Sequence, residues 1–91
     1  MSITIEIPAT LRRFAAQRES VAVDAVDLQG ALRQLVQQHP AMSEHLFARD
    51  GSLRRIVNVF VNDTHIRQFG TGPQDVRPGD TIHLVPAFAG G

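Results

Sequence analysis

The chain has 91 residues, of which 43% are hydrophobic, a size and composition typical of one small globular domain and not of a disordered linker. Nine basic and nine acidic residues give a net charge of zero, so the basic excess of a nucleic-acid-binding protein is missing and we expect no nucleic-acid partner. Since there is no apolar run of about eighteen residues and no basic segment before an apolar stretch at the start, we expect no membrane span, no signal peptide and a cytoplasmic location.

The residue types that the chain lacks exclude several kinds of functional site. No cysteine is present, which excludes disulfides, thiolate metal ligands and a cysteine nucleophile. The histidines have no close pairing, so we expect no metal site; they are His39, His45, His65 and His83. Lysine is also absent, because all nine basic residues are arginine. No side-chain amine of this chain can therefore accept an acyl group from another copy.

Two strands are predicted at the start of the chain. Ile3, Ile5 and Ile7 alternate with polar residues, which is the period of a half-buried strand, and Pro8 ends it. Residues Ser20–Asp24 predict a second short strand. The stretch between them is short enough for a return like that of a hairpin.

One helix of about twelve residues follows. Asp27 is predicted as its N-cap, with Val26 and Ala31 as a hydrophobic staple, and Pro40 ends it. His39 lies at the C-terminus, where a cationic side chain suits the helix dipole. The apolar positions recur every three or four residues and form one stripe: Leu28, Ala31, Leu32, Leu35 and Val36.

The second half of the chain is richer in strands. "AMSEHLF" (41–47) predicts a short helical turn, and a loop around Asp50-Gly51 leads to "IVNVFVND" (56–63), the strongest strand of the chain. Turn residues then allow "HIRQF" (65–69) to return as a neighbouring strand, and "TIHLV" (81–85) is the last strand.

The element order is therefore β-β-α-β-β-β. It predicts an α+β roll, with a mixed four- to five-stranded sheet packed on one main helix. If the final strand is central, the first strand is its expected neighbour.

Three segments in this order resemble the sulfur-carrier proteins of the ubiquitin-like superfamily, which have the β-grasp fold. They are "VNVFVND" (57–63), "VRPGDTIHLVP" (76–86) and the terminal "GG". Within that group the chain is most similar to the carriers of thiocarboxylate-dependent cysteine biosynthesis, through residues 48–63 and the "P-A-x-A-G-G" ending. The thiamin-pathway carriers are typically shorter, and the small subunits of molybdopterin synthase are less similar around residues 50–69.

The resemblance implies a carrier that is a co-substrate and not an enzyme, with no cofactor of its own. An E1-like activating enzyme would use ATP to adenylate the carboxylate of Gly91, and sulfur would then displace AMP to leave a thiocarboxylate. A cysteine-synthase-like enzyme would use this sulfur on an activated substrate, and a metallopeptidase could release the product. The alternatives are a molybdopterin synthase small subunit, a ubiquitin-like protein modifier and a binding module whose Gly-Gly is incidental.

The predicted domain is 1–85, and 86–91 form a flexible tail. Gly90 and Gly91 have no Cβ, so the end of the tail is narrow enough to enter a partner's nucleotide site. Pro86 stiffens the exit from the sheet. Phe88 either folds back on the domain or anchors the tail in a partner pocket. The tail residues of interest are Pro86, Phe88, Ala89, Gly90 and Gly91.

A docking surface is predicted at the base of the tail. Alternation in the two strongest strands assigns the core positions to Val57, Val59, Val61, Ile82 and Leu84. Phe60, His83 and Val85 then point to the other face, where a large aromatic side chain suggests partner docking. The alternative is that a second helix or loop, such as "MSEHLF", covers Phe60 as part of ordinary packing.

Overall fold

The computed structural model describes residues 2–51, 53–54, 57–65 and 75–86. The strands are β1 (Ile3–Glu6), β2 (Ser20–Val23), β3 (Val57–Val61), β4 (Thr64–His65) and β5 (Thr81–Pro86). The helices are α1 (Leu28–Gln38) and α2 (Ser43–Leu46), with 3-10 segments at Ala9–Phe14 and Pro40–Met42. None of these helices is long and apolar enough to cross a membrane.

The strands form one mixed five-stranded sheet in the order β2-β1-β5-β3-β4. β5 lies at the centre, parallel to β1 and antiparallel to β3. β2 is antiparallel to β1. The structure therefore confirms the α+β roll and the placement of the first strand beside the last.

The core lies between one face of the sheet and α1. β1, β3 and β5 contribute alternate residues to it, and each confirms the predicted face: Ile3, Ile5, Val57, Val59, Val61, Ile82 and Leu84 are all buried. The predicted stripe of α1 is buried as well, except that Val36 is half-buried at its margin. Because side chains alternate along a strand, burial of this face sends the residues between them to the opposite face.

The N-cap prediction is confirmed, but the staple is wrong. The Asp27 side chain accepts the Gly30 N–H at 2.7 Å, as an N-cap should. Val26 is 79% exposed and does not pack on buried Ala31. The reason is long-range: the Val26 carbonyl accepts the Val76 N–H at 3.0 Å, and this pairing turns the Val26 side chain to solvent.

The 3-10 segment between β1 and β2 was not predicted, although the antiparallel return of β2 was. Leu11 within this segment and Ala15 directly after the segment are both buried and anchor it in the core. Ala16 and Gln17 follow with φ values of 54° and 61°, a left-handed pair that reverses the chain. Because β1 and β5 are parallel, this segment lies at the end of the sheet where β5 ends.

The elements after α1 agree in part with those predicted from the sequence. The helical turn predicted within 41–47 is present as α2, preceded by the 3-10 segment Pro40–Met42. The turn at Asp50-Gly51 is present, and Gly51 has a φ of 87°. Of the strand predicted at 65–69, only His65 is described, in β4; residues 66–69 lie outside the described residues.

Candidate docking face at the end of the central strand

The sheet face opposite the core carries the residues predicted for docking. In the register, His83 of β5 lies between Glu6 of β1 and Phe60 of β3. Val85 lies opposite Asn58 on the next row and is 45% exposed. The structure thus brings Phe60, His83 and Val85 together on one face. We call this surface, with Glu6, the outer face.

His83 is held in place by a carboxylate. Its Nδ1 lies 2.8 Å from Oε2 of Glu6, with the two side chains 36% and 53% exposed. An Nδ1–H of the imidazole can donate to the carboxylate, and this contact orients the ring. One edge of the His83 ring is therefore fixed against Glu6, while the side chain stays partly exposed to solvent and accessible to a partner.

Phe60 packs edge-on against His65, with ring centroids 5.0 Å apart and an interplanar angle of 84°. His65 in turn has Nε2 3.0 Å from Oδ1 of Asn58. The 41–47 segment packs elsewhere: Leu46 is buried in the core and His45 stacks on Phe14 at 4.0 Å. Within the described part of the chain, the half-buried Phe60 is therefore covered by His65 of β4, while the 41–47 segment packs on the core.

Two concavities flank the ridge formed by His83 and Val85. One, of about 310 Å³, is lined by Phe60, Asn62, Asp63, His83 and Val85. The other, of about 420 Å³, includes Glu6, Pro8, Arg12 and Glu19 among its lining residues. Apolar side chains lie at the centre and acidic ones at both margins, with Arg12 beside Glu6 and Glu19, so the surface suits a partner with the complementary charge pattern.

Glu6 and Glu19 were missed by the sequence reasoning. Arg12 donates from Nε to the Ile7 carbonyl at 3.0 Å, which fixes it beside the outer face. Glu6 had a usable signal, because it is the outward residue of the first strand and that strand was the expected neighbour of the last. Glu19 had none, since its position depends on the unpredicted 3-10 segment.

The turn before β5 is closed by Asp80. The Arg77 N–H donates to its Oδ2 at 2.9 Å and the Asn62 amide donates to its Oδ1 at 3.2 Å. These donors stabilise the ionised form and hold the pKa of Asp80 below its ordinary value. Asn62 also accepts the Thr81 N–H at 3.0 Å. The end of β3 is thereby joined to the beginning of β5, which helps to fix the register of the outer face.

The predicted tail is described only at its first residue. Pro86 is the last residue of β5 and lies opposite Val57 in the register. Phe88, Ala89, Gly90 and Gly91 lie outside the described residues, so the division between 1–85 and 86–91 stays a prediction. Among the described residues, no group of three or more histidine, aspartate or glutamate side chains could hold a metal ion.

Comparison with known protein families and sequences shows which proteins this chain is similar to. The sequence matches the ThiS family over residues 5–91. The sulfur carrier protein CysO of Mycobacterium tuberculosis is 32% identical over 93 residues, covering 100% of both chains. A putative sulfur carrier protein of Archaeoglobus fulgidus is 28% identical over 91 residues, again with 100% of both chains covered.

Solved structures agree in fold. The crystal structure of the Amycolatopsis orientalis BexX/CysO complex contains a chain with a TM-score of 0.87 and 30% identity, covering 98% of this chain and 99% of that one. SAMP1 from Haloferax volcanii has a TM-score of 0.84 and 29% identity, with 100% of both chains covered. The protein described here is therefore a ubiquitin-like β-grasp domain and belongs to the ThiS family.

Proposed function

We propose that this protein is a sulfur carrier of the CysO type, a reagent for other enzymes and not itself a catalyst. The observation that carries the proposal is the end-to-end similarity to CysO, 32% identical with 100% of both chains covered. The family match also runs to residue 91 and so includes the terminal Gly90-Gly91. The proposed product is a C-terminal thiocarboxylate that donates sulfur in the synthesis of cysteine or a related metabolite.

The chemistry needs a partner because a free carboxylate is a poor electrophile. In the proposed cycle an oxygen of the Gly91 carboxylate attacks the α-phosphorus of ATP, and pyrophosphate leaves. A sulfur nucleophile then attacks the acyl-adenylate carbonyl, AMP departs, and the thiocarboxylate remains. An E1-like adenylyltransferase in the cytoplasm would supply the nucleotide site, so this chain needs no bound cofactor.

The outer face is the proposed docking surface for that enzyme. It lies at the C-terminal end of β5, where the tail begins. The five residues from Ala87 to Gly91 can span about 17 Å when extended, which is long enough to enter a site while the domain stays docked outside. Phe88 would anchor the tail in the partner. A cysteine-synthase-like enzyme and a metallopeptidase are the proposed later partners.

Intact-mass spectrometry tests the proposal directly. The protein is incubated with an E1-like activating enzyme, ATP and a sulfide source, and we expect a mass increase equal to one oxygen-to-sulfur exchange. A chain that lacks Gly91 is the matched control, since it keeps the whole domain and should gain nothing. If the full chain stays unmodified with an enzyme that is active on its own carrier, the CysO-type assignment is wrong.

A second candidate is a protein modifier whose Gly91 is joined to lysines of other proteins. The observation that favours it is the full-length similarity to SAMP1, a small archaeal modifier protein, at 29% identity. This chain has no lysine of its own and so cannot form chains of itself through lysine side chains. Peptide mapping of cellular proteins separates the two candidates, because only a modifier leaves a C-terminal peptide of this chain, ending in Gly90-Gly91, in isopeptide linkage to a lysine of another protein.

A further inference from the structure

Among the residues that the structure describes, no further strand pairs with the outer edge of β2, the first strand of the sheet in spatial order. An edge strand presents unpaired backbone groups that can pair with another chain, and proteins usually block such edges with lysine, proline or a bulge. This chain has no lysine, and the β2 sequence, Ser20–Val23, contains no proline. Lysine and proline are therefore missing from the strand itself, and its register with β1 runs without a bulge.

Alternate residues of β2 direct their backbone groups away from β1. The Ile7 N–H donates to the Glu19 carbonyl at 2.9 Å, so residue 19 faces β1. In an antiparallel ladder every second residue repeats that orientation, and the residues between them face the other way. The backbone groups at the open edge therefore belong to Ser20, Ala22 and Asp24.

The carbonyl of each of these three residues is occupied by a side chain. Arg18 donates from Nε to the Ser20 carbonyl at 3.2 Å. Gln38 of α1 donates from Nε2 to the Ala22 carbonyl at 3.3 Å.

Gln34, one turn earlier on α1, binds Asp24 twice. Its Oε1 accepts the Asp24 N–H at 2.9 Å and its Nε2 donates to the Asp24 carbonyl. A primary amide used in this way presents the same donor and acceptor as the backbone of a neighbouring strand. The side chains of Arg18, Gln34 and Gln38, which we call the edge cover, thus take the place of a further strand.

We propose that the β2 edge is a strand-pairing surface for a second copy of this chain, and that the edge cover keeps it closed. The strand is complementary to itself: an antiparallel pair centred on Ala22 sets Ser20 opposite Asp24 of the other copy and places no like charges opposite each other. Such a two-fold contact would join two sheets into one. The proposal concerns β2 and does not depend on sulfur transfer.

The test removes the glutamines of the cover. The double variant Gln34→Ala/Gln38→Ala should form dimers in sedimentation equilibrium at concentrations between micromolar and millimolar, where the native chain stays monomeric. Gln37→Ala is the matched control, because Gln37 is an exposed glutamine on the same helix. It should remain monomeric.

Adding Ala22→Pro to the double variant tests whether the dimer uses this edge. The Ala22 N–H points outward, so proline removes a donor that the partner strand needs while leaving the ladder to β1 intact. We expect the monomer to return. Association that persists in this triple variant, or a double variant that stays monomeric with a native circular dichroism spectrum, overturns the proposal.

Amide exchange supplies a readout that does not require dimers. In Gln34→Met, which keeps the length of the side chain but loses the amide oxygen and the amide N–H donors, the Asp24 amide should exchange roughly two- to tenfold faster, the factor expected for one lost hydrogen bond. Met, like Ala, is a strong helix former, so α1 is expected to stay folded in this variant. An unchanged exchange rate at Asp24 would show that Gln34 does not cover the edge.

Discussion

The two hydrogen bonds that the Asp80 carboxylate accepts, from the Arg77 N–H and the Asn62 amide, form what we call the Asp80 clamp. We expect the clamp to contribute a measurable, pH-dependent part of the free energy of unfolding. Asp80→Ala removes the acceptor for the Arg77 N–H at 2.9 Å and for the Asn62 amide at 3.2 Å. Each such bond contributes about 0.5–1.5 kcal/mol net, and more when the acceptor is charged. Because solvent screens a carboxylate near the surface, we expect a total loss of about 1–2 kcal/mol in the free energy of unfolding at neutral pH.

The sign of the pH dependence follows from the lowered pKa. Since the folded-state pKa of Asp80 lies below its ordinary value of 3.8, ionised Asp80 stabilises the fold at every pH above that ordinary value. This contribution is lost as the pH falls through the folded-state pKa. The difference in stability between the native chain and Asp80→Ala should therefore shrink under acid conditions.

Urea denaturation followed by circular dichroism, at neutral pH and at about pH 2, measures this difference directly. Asp80→Asn separates charge from shape, and its deficit should also shrink in acid. Asp63→Ala, which removes an exposed carboxylate in the adjacent turn, should have little effect at either pH. A deficit of Asp80→Ala that stays constant between the two pH values would refute the assignment of the stabilisation to the ionised clamp.

Four further substitutions test the core, the helix cap, a turn and the outer face. Ile82→Ala empties a fully buried site in the central strand and should lower the free energy of unfolding by about 2–5 kcal/mol, measured by thermal and urea denaturation. Asp27→Ala should cost about 1 kcal/mol through loss of the cap, while Asp27→Ser should restore most of it. Gly79→Ala has no steric conflict within 4 Å but forces alanine to a φ of 92°, so about 1–2 kcal/mol of backbone strain is expected. Phe60→Ala should lower kcat/KM for activation by the E1-like enzyme about tenfold with the fold intact, whereas Phe47→Ala, at a half-buried aromatic packed on the core, should change stability more than activation. Equal effects of these last two variants on activation would argue against the outer face as a docking surface.

Local patterns were sufficient for the faces of the strands. Val57, Val59 and Val61 were assigned to the core and Phe60 to the opposite side by alternation alone, and the burial of these residues agrees. Alternation works here because side-chain direction along a strand is a property of the backbone and needs no knowledge of the partner strand. The same reasoning failed for Val26, whose position depends on a hydrogen bond to Val76, fifty positions away in the chain.

For the candidate site too, some residues could be identified from the sequence of one strand and others only from the contacts between strands. Phe60, His83 and Val85 were each identified from their own strand. That Glu6 lies 2.8 Å from His83, and that His65 packs against Phe60, depends on which strands are neighbours and in what register. Arg12 and Glu19 reached the site through a 3-10 segment stabilised by burial of Leu11, which local propensity did not reveal.

The sequence by itself determined the apolar faces, the α1 cap, the β-β-α-β-β-β order and the glycine pair at the end, since all of these are written in residues close together in the chain. Only the tertiary structure decided that the outer face has acidic margins and that the glutamines of α1 cover the β2 edge. Both depend on contacts between distant segments, such as Gln34 with Asp24 and Glu6 with His83. Such contacts form when the strands pair in the register that buries their shared core. The burial of that core, and not any local preference, selects these contacts.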